Sequence, residues 1–314
     1  MKTSVASMLV GAAVLLLLLG VVAMPASAAP FPVPLAGPGC PTAPLLSQNS
    51  YILTGDLAIN TPGADCITIN GNGTTVDLNG HSISGVPGTG RGITAVGNNH
   101  TIKGPGIVHD FDGGCIIISQ NASAAGFPTV ADGGRFTLVE NVLAYNCAGF
   151  GIRLGSFSKC VQCRVHDVRL SEGNGVGIEI GFATGNDGGC LLESSIVERS
   201  DIGVLVGTDC KVWDLVVDTV GISGLVVGAG TTVARTVISH YHNGPGLDYT
   251  RCGTVTGAKG CQDSSNSVTL SLAGGQSIAD AAAFVITDCA TNGSTGVGGG
   301  IKYVPTAPTG QCSP

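Results

Sequence analysis

Eight short apolar segments recur along this chain at nearly even intervals, and that periodicity leaves few architectures open. They begin at Cys66 (CITIN), Gly92 (GITAV), Cys115 (CIIIS), Gly151 (GIRLG), Gly177 (GIEIG), Gly203 (GVLVG), Gly224 (GLVVG) and Gly246 (GLDYT). Successive starts lie 21 to 26 residues apart, save one interval of 36 that contains an Ala/Gly-rich insertion, Asn121 to Gly134. Fixed-period self-similarity of this length is the mark of a repeat architecture.

Each repeat carries two further strand-like runs, as in TTVDLNGHSISG, HTIKGPGIVHDF and CVQCRVHDVRLS. The runs are rich in Val, Ile and Leu and bounded by Gly, Asn and Asp; few stretches show the three-to-four-residue periodicity of an amphipathic helix. Fifty glycines with only 4% aromatic residues fit many tight turns and an all-β chain. About twenty residues suffice to return a strand parallel to its predecessor, which needs a dozen or more connecting residues. The spacing therefore predicts a single-stranded parallel β-helix of about eight coils, roughly 40 Å long at about 4.8 Å per coil. Each coil buries its apolar side against its neighbours, so one domain suffices and only the ends need covers. The expected layout is a signal segment over 1–28, a Pro-rich N-terminal cap over 29–50, the solenoid over 51–288 and a Gly-rich C-terminal cap over 289–314.

Lys2, the apolar run Leu9 to Ala23 and the small-residue pattern Ala26-Ser27-Ala28 read as a secretory signal, with a membrane anchor as the alternative. The processed chain is expected to be exported, extracellular or periplasmic, and monomeric. Losing Lys2 brings its net charge to about -8, and without clusters of Lys and Arg that balance excludes nucleic acid as a partner. All twelve cysteines follow the signal, an even number that favours disulfides. Cys252 with Cys261 and Cys289 with Cys312 are candidate pairs. Cys160-Val-Gln-Cys163 raises a redox or zinc alternative, but no second such pair or His motif accompanies it.

The stretch CITINGNGTTVDLNGHSISG, Cys66 to Gly85, resembles an N-terminal coil of the right-handed parallel β-helix proteins, the group with pectate-lyase-like and NosD-like members. The resemblance covers roughly Tyr51 to Tyr249 and implies the right-handed fold far more strongly than any one activity. Carbohydrate enzymes on this scaffold carry carboxylates, Lys, Arg or His on the outside of adjacent coils. The adjacent-aspartate set of polygalacturonase-like members and the Asp-Pro-His-Asp motif of epimerase-like members are both missing. Within the stretch, Asp77 and His81 read as a structural corner around Asn79-Gly80, with an acid/base dyad as the alternative.

The best chemical constellation follows the third strand of successive repeats. His109, Asp110, Tyr145, His166, Asp167 and Arg199 are candidate substrate-binding residues, joined by Asp248 and Arg251. Glu198, Asp218, His240 and His242 are the catalytic candidates. Equivalent positions stack along a solenoid, so these should form one external strip able to grip a sugar chain and supply an acid or base. A solvated row of polar turn residues is the bland alternative. Three Asp-Gly-Gly turns, at Asp112, Asp132 and Asp187, read as turns; no cofactor is required, and calcium is the ion such carboxylates would take. Asn72, Asn99, Asn121 and Asn292 head glycosylation patterns. The expected function is binding of extracellular or cell-wall polysaccharide without turnover. A lyase or glycoside hydrolase acting on an acidic glycan, and a purely structural surface protein, are the alternatives.

Overall fold

The computed structural model describes residues 31–119, 134–169, 175–181, 189–228, 230–241, 247–251, 262–264, 267–269, 286–287 and 297–298. The chain divides into two compact units, Met1–Phe31 and Pro32–Pro314, of which the first lies almost wholly outside the described residues. The expected signal segment is therefore outside them too. In the second unit no helix forms among the described residues, and every strand pairing is parallel.

The unit winds as a right-handed parallel β-helix with three ladders, the hand that parallel crossover connections take. Among the described residues the first ladder has nine strands: Ile67–Asn70, Ile93–Val96, Ile116–Ser119, Phe150–Leu154, Val176–Ile180, Ile202–Val206, Ser223–Gly228, Leu247–Arg251 and Ile286–Thr287. All eight predicted segments lie in it, with one further strand added beyond them. Ile67, Ile93, Ile116, Ile152, Ile178, Val204 and Leu225 are in register and fully buried, so each coil packs its branched chain on the same chain one rung away. Such a column excludes water without any layer crossing it.

The second and third ladders join into one 18-stranded sheet because two long strands, Thr101–Phe111 and Leu138–Cys147, run through both. The third ladder continues through Arg164–Val168, Ile196–Ser200, Val216–Val220 and Val237–Tyr241. Its inward column is Ile83, Val108, Ala144, Val165, Val197, Val217 and Ile238, all buried.

Corners are made by single residues with positive φ, and these stack as well. One row is Asn141, Gln162, Ser194, Asp214 and Arg235, with φ between +51° and +54°. Left-handed backbone disfavours most side chains, and short polar ones that bond locally tolerate it best. Asn79 belongs to this pattern at φ +48°: its N–H donates to Asp77 Oδ1 (2.9 Å) and its amide to the Leu53 carbonyl (3.1 Å). Asp77 is further paired with Lys103 at 2.9 Å, while His81 lies 3.5 Å from Asp56. Each side chain has its own partner, which is the structural corner rather than a dyad.

Pairing is also described in the segments toward both ends. Val33–Leu35, in the Pro-rich segment assigned as a cap, pairs with Ser50–Leu53, and Leu45 bridges to Ile69. Proline fits here because this is an edge strand, where a missing N–H faces no partner. In the tail, Val297 pairs with Asp263. Among the described residues, disulfides join Cys40–Cys66, Cys115–Cys147, Cys160–Cys163 and Cys190–Cys210, and no described cysteine is free. Cys160 and Cys163 are both fully buried and bonded to each other, a staple across the Gln162 corner and not a zinc pair. Cys252, Cys261, Cys289 and Cys312 lie outside the described residues.

Candidate functional site

On the third ladder, alternation sends Ile83, Val108, Ala144, Val165, Val197 and Val217 inward and their C-terminal neighbours outward. The register therefore aligns Ser84, His109, Tyr145, His166, Glu198 and Asp218 on consecutive rungs of one outer row. Residues separated by up to 134 positions in sequence thus become neighbours about 4.8 Å apart per rung.

Three members of the row form a continuous ring stack. His109 and Tyr145 have centroids 4.7 Å apart with planes 5° from parallel; Tyr145 and His166 are 4.9 Å and 6° apart. The faces are spent on one another, so the edges project to solvent. Beside this row runs a second one of left-handed residues: Asp110 (φ +64°), Asn146 (+50°), Asp167 (+56°), Arg199 (+50°) and Thr219 (+53°). The backbone there turns each side chain back alongside its predecessor. Asp110 Oδ2 lies 2.7 Å from His109 Nδ1, and Asp167 Oδ2 lies 2.8 Å from His166 Nδ1.

An ionised carboxylate only accepts, so each Nδ1 donates to it, and in the neutral imidazole Nε2 is the nitrogen that keeps a lone pair. Oriented imidazoles of this kind are general-base geometry. Asn146 donates its amide to Asp110 Oδ1, linking the two rungs. Arg199 forks onto Asp167, Nε to Oδ1 and Nη2 to Oδ2, both at 2.8 Å. Burial pushes the Asp167 carboxyl up, but the hydrogen bonds from Arg199 and His166 outweigh it and hold the group below the usual carboxylate range. Burial and the Asp110 charge push the Tyr145 phenol up, so it stays protonated and able to donate.

An open groove of about 890 Å³ runs along this edge, lined by Tyr145, His166, Asp110, Asp167, Asp112 and Arg169 and rimmed by Gly85 to Pro87. Sequence reasoning had marked the first four, took Asp112 only for a turn and passed over Arg169. Asp112 does serve a turn, its Oδ2 accepting the Gly88 N–H. Asp132 and Asp187 lie outside the described residues. Ser84 is no nucleophile for His109: its hydroxyl donates to the Leu57 carbonyl at 3.4 Å, on the rung below.

The remaining candidates separate. Glu198 and Asp218 continue the outer row by one and two rungs. His240 falls opposite Thr219, in the corner row rather than the outer one, since Asp218 pairs with Ser239 and Val220 with Tyr241. His242 lies outside the described residues. Asp248 and Arg251 are on the first ladder, opposite Val226 and Gly228, and so on another wall from the strip. That wall has its own charged pair, Arg153 Nε to Glu179 Oε1 at 2.7 Å, both side chains about nine-tenths buried, with the guanidinium 4.6 Å from the Phe150 ring. Among the described residues no three His, Cys, Asp or Glu side chains gather as a metal site.

No protein-family model matches the chain, and no curated protein matches it. Solved structures of similar winding include pectate lyase Pel9A, at 14% identity and a TM-score of 0.37, covering 78% of this chain and 70% of that one. The A-module of Azotobacter vinelandii mannuronan C-5 epimerase AlgE4 matches at 14% identity and a TM-score of 0.29, over 77% of this chain and 86% of that one. The catalytic domain of a GH87 alpha-1,3-glucanase, solved with nigerose, matches at 11% identity and a TM-score of 0.23, over 79% and 56%. These are likenesses of fold, and the chemistry of the strip is argued from its own residues.

Proposed function

We propose that this chain binds a polysaccharide outside the cell through the outer row of the third ladder. The observation that carries the reading is the His109–Tyr145–His166 stack, whose polar ring edges repeat at the rung spacing beside an open groove. A polymer with a regular repeat is the ligand that evenly spaced donors and acceptors suit. Rings locked by stacking and by two carboxylates lose little freedom on binding, which favours affinity. Affinity electrophoresis in gels containing soluble polysaccharides tests this. Tyr145→Ala should abolish retardation while the β-sheet circular dichroism persists, whereas Tyr145→Phe should weaken it in part. Unchanged retardation of Tyr145→Ala would remove the strip as the binding surface. Parallel gels with calcium and with a chelator decide whether an ion takes part.

The two His–Asp pairs favour a second reading, in which the bound polymer is also turned over by proton transfer at a neutral imidazole. Incubation with the polymer that binds, followed by assay for new reducing ends and unsaturated products, separates the two. His166→Ala should abolish any turnover found.

A further inference from the structure

Taking the strip as a polysaccharide site, we infer that it selects an uncharged, hydroxyl-rich glycan and rejects polyuronates. The argument is one of hydrogen-bonding valence. With each Nδ1 donating to its own aspartate, the neutral imidazoles of His109 and His166 offer an acceptor at Nε2. Carboxylate oxygens accept and never donate. The surface is therefore rich in acceptors, and its complement must bring donors, which sugar hydroxyls do.

Charge points the same way. Asp110, Asp112, Asp167, Glu198 and Asp218 line the groove or continue its row, against Arg169 and Arg199. The charge of Arg199 is already balanced by Asp167, on which two of its N–H groups lie. Arg169 is the groove-lining cation that a uronate carboxylate would meet, beside aspartates that would repel it. Glu198 and Asp218 stand in register with like charge, which deepens the negative potential along the row. A neutral polyol brings donors to this row and adds no charge.

The test is isothermal titration calorimetry at pH 8 in a chelating buffer. Ligands are hexasaccharides of glucose, galactose, mannose and xylose, their O-methylated forms, and hexagalacturonate. At least one neutral hexasaccharide should bind, its O-methylated form at least tenfold more weakly, and hexagalacturonate not measurably. Glu198→Lys should lower affinity for the neutral ligand several-fold and bring hexagalacturonate into the measurable range. Tighter binding of hexagalacturonate than of every neutral ligand, or equal binding of the O-methylated form, overturns the inference while leaving the strip as a glycan site. Binding of none of them overturns both.

Discussion

Asp167 turns its carboxylate back onto its own neighbour, Oδ2 lying 2.8 Å from His166 Nδ1, and only its left-handed backbone, φ +56°, makes that reach available. The residue therefore has two duties, conformational and electrostatic. Asn tolerates this conformation and Val does not. Asp167→Asn should unfold in urea within about 1 kcal/mol of the parent, because the ion pair lost to Arg199 is an exposed one. Asp167→Val should lose a further 1–2 kcal/mol or so to backbone strain. Equal midpoints for the two would show that the corner is not strained.

Gly177 is the second residue of the strand Val176–Ile180, where the next rung approaches closely. A methyl there would sit 2.6 Å from the Gly203 carbonyl oxygen and collide with Val197. Gly151 and Gly203 meet the same obstacle, so no neighbouring coil can yield. Gly177→Ala should cost about 1–3 kcal/mol and lower the Tm accordingly. Gly55→Ala, with nothing within 4 Å of the added carbon, is the control and should be near neutral.

Arg153 and Glu179 are a buried ion pair, and removing the carboxylate leaves a buried guanidinium without its neutralising charge. Glu179→Ala should destabilise by about 3–5 kcal/mol. Replacing both with Leu should recover most of that loss, because the charge left behind goes with them. Urea unfolding of the three variants reads this directly, and a double variant no better than Glu179→Ala would show that the pair itself supplies the stability.

His100 is fully buried with neither ring nitrogen in a hydrogen bond. Burial pushes its pKa below the ordinary value of 6.5, outweighing nearby carbonyls of Val96, Thr74 and Gly71 that favour the charged form. The unfolded chain thus takes a proton that the folded one refuses. Its contribution to stability is complete above about pH 6.5 and declines as the pH falls below it, at most by about 1.4 kcal/mol per pH unit. Thermal unfolding between pH 5 and 8 should show this slope, and His100→Leu should flatten it. An identical slope in that variant assigns the effect to other groups.

Apolar alternation carried most of the architecture into view. A run such as GIRLG or GIEIG is readable because the buried column needs a branched residue at a fixed offset, and Ile152 above Ile178 follows from that offset alone. The same counting aligned His109, Tyr145, His166, Glu198 and Asp218. It was set aside for Asp248 and Arg251, which were grouped with the strip for their nearness to His240 although GLDYT belongs to the first-ladder repeat. It also overlooked Arg153 and Glu179, whose matching offsets were plain but whose outward direction suggested solvent. Ring stacking and the fork of Arg199 onto Asp167 depend on side-chain torsions, which no spacing encodes. Val33–Leu35 was hidden by its prolines, which weigh against a strand except at an edge.

The strand Leu138–Cys147 pairs with Thr101–Phe111, Tyr145 beside His109 across 36 residues of chain, while Tyr145 meets His166 across only 21. Connection length thus varies while the ladder partners are kept, as slack in a cord leaves undisturbed the pitch of the thread it is wound on. Segments of foreign sequence grafted into the longer connection should ride outside the spiral while the stacked rings keep their spacing, giving the scaffold freedom to vary its rim independently of its grip.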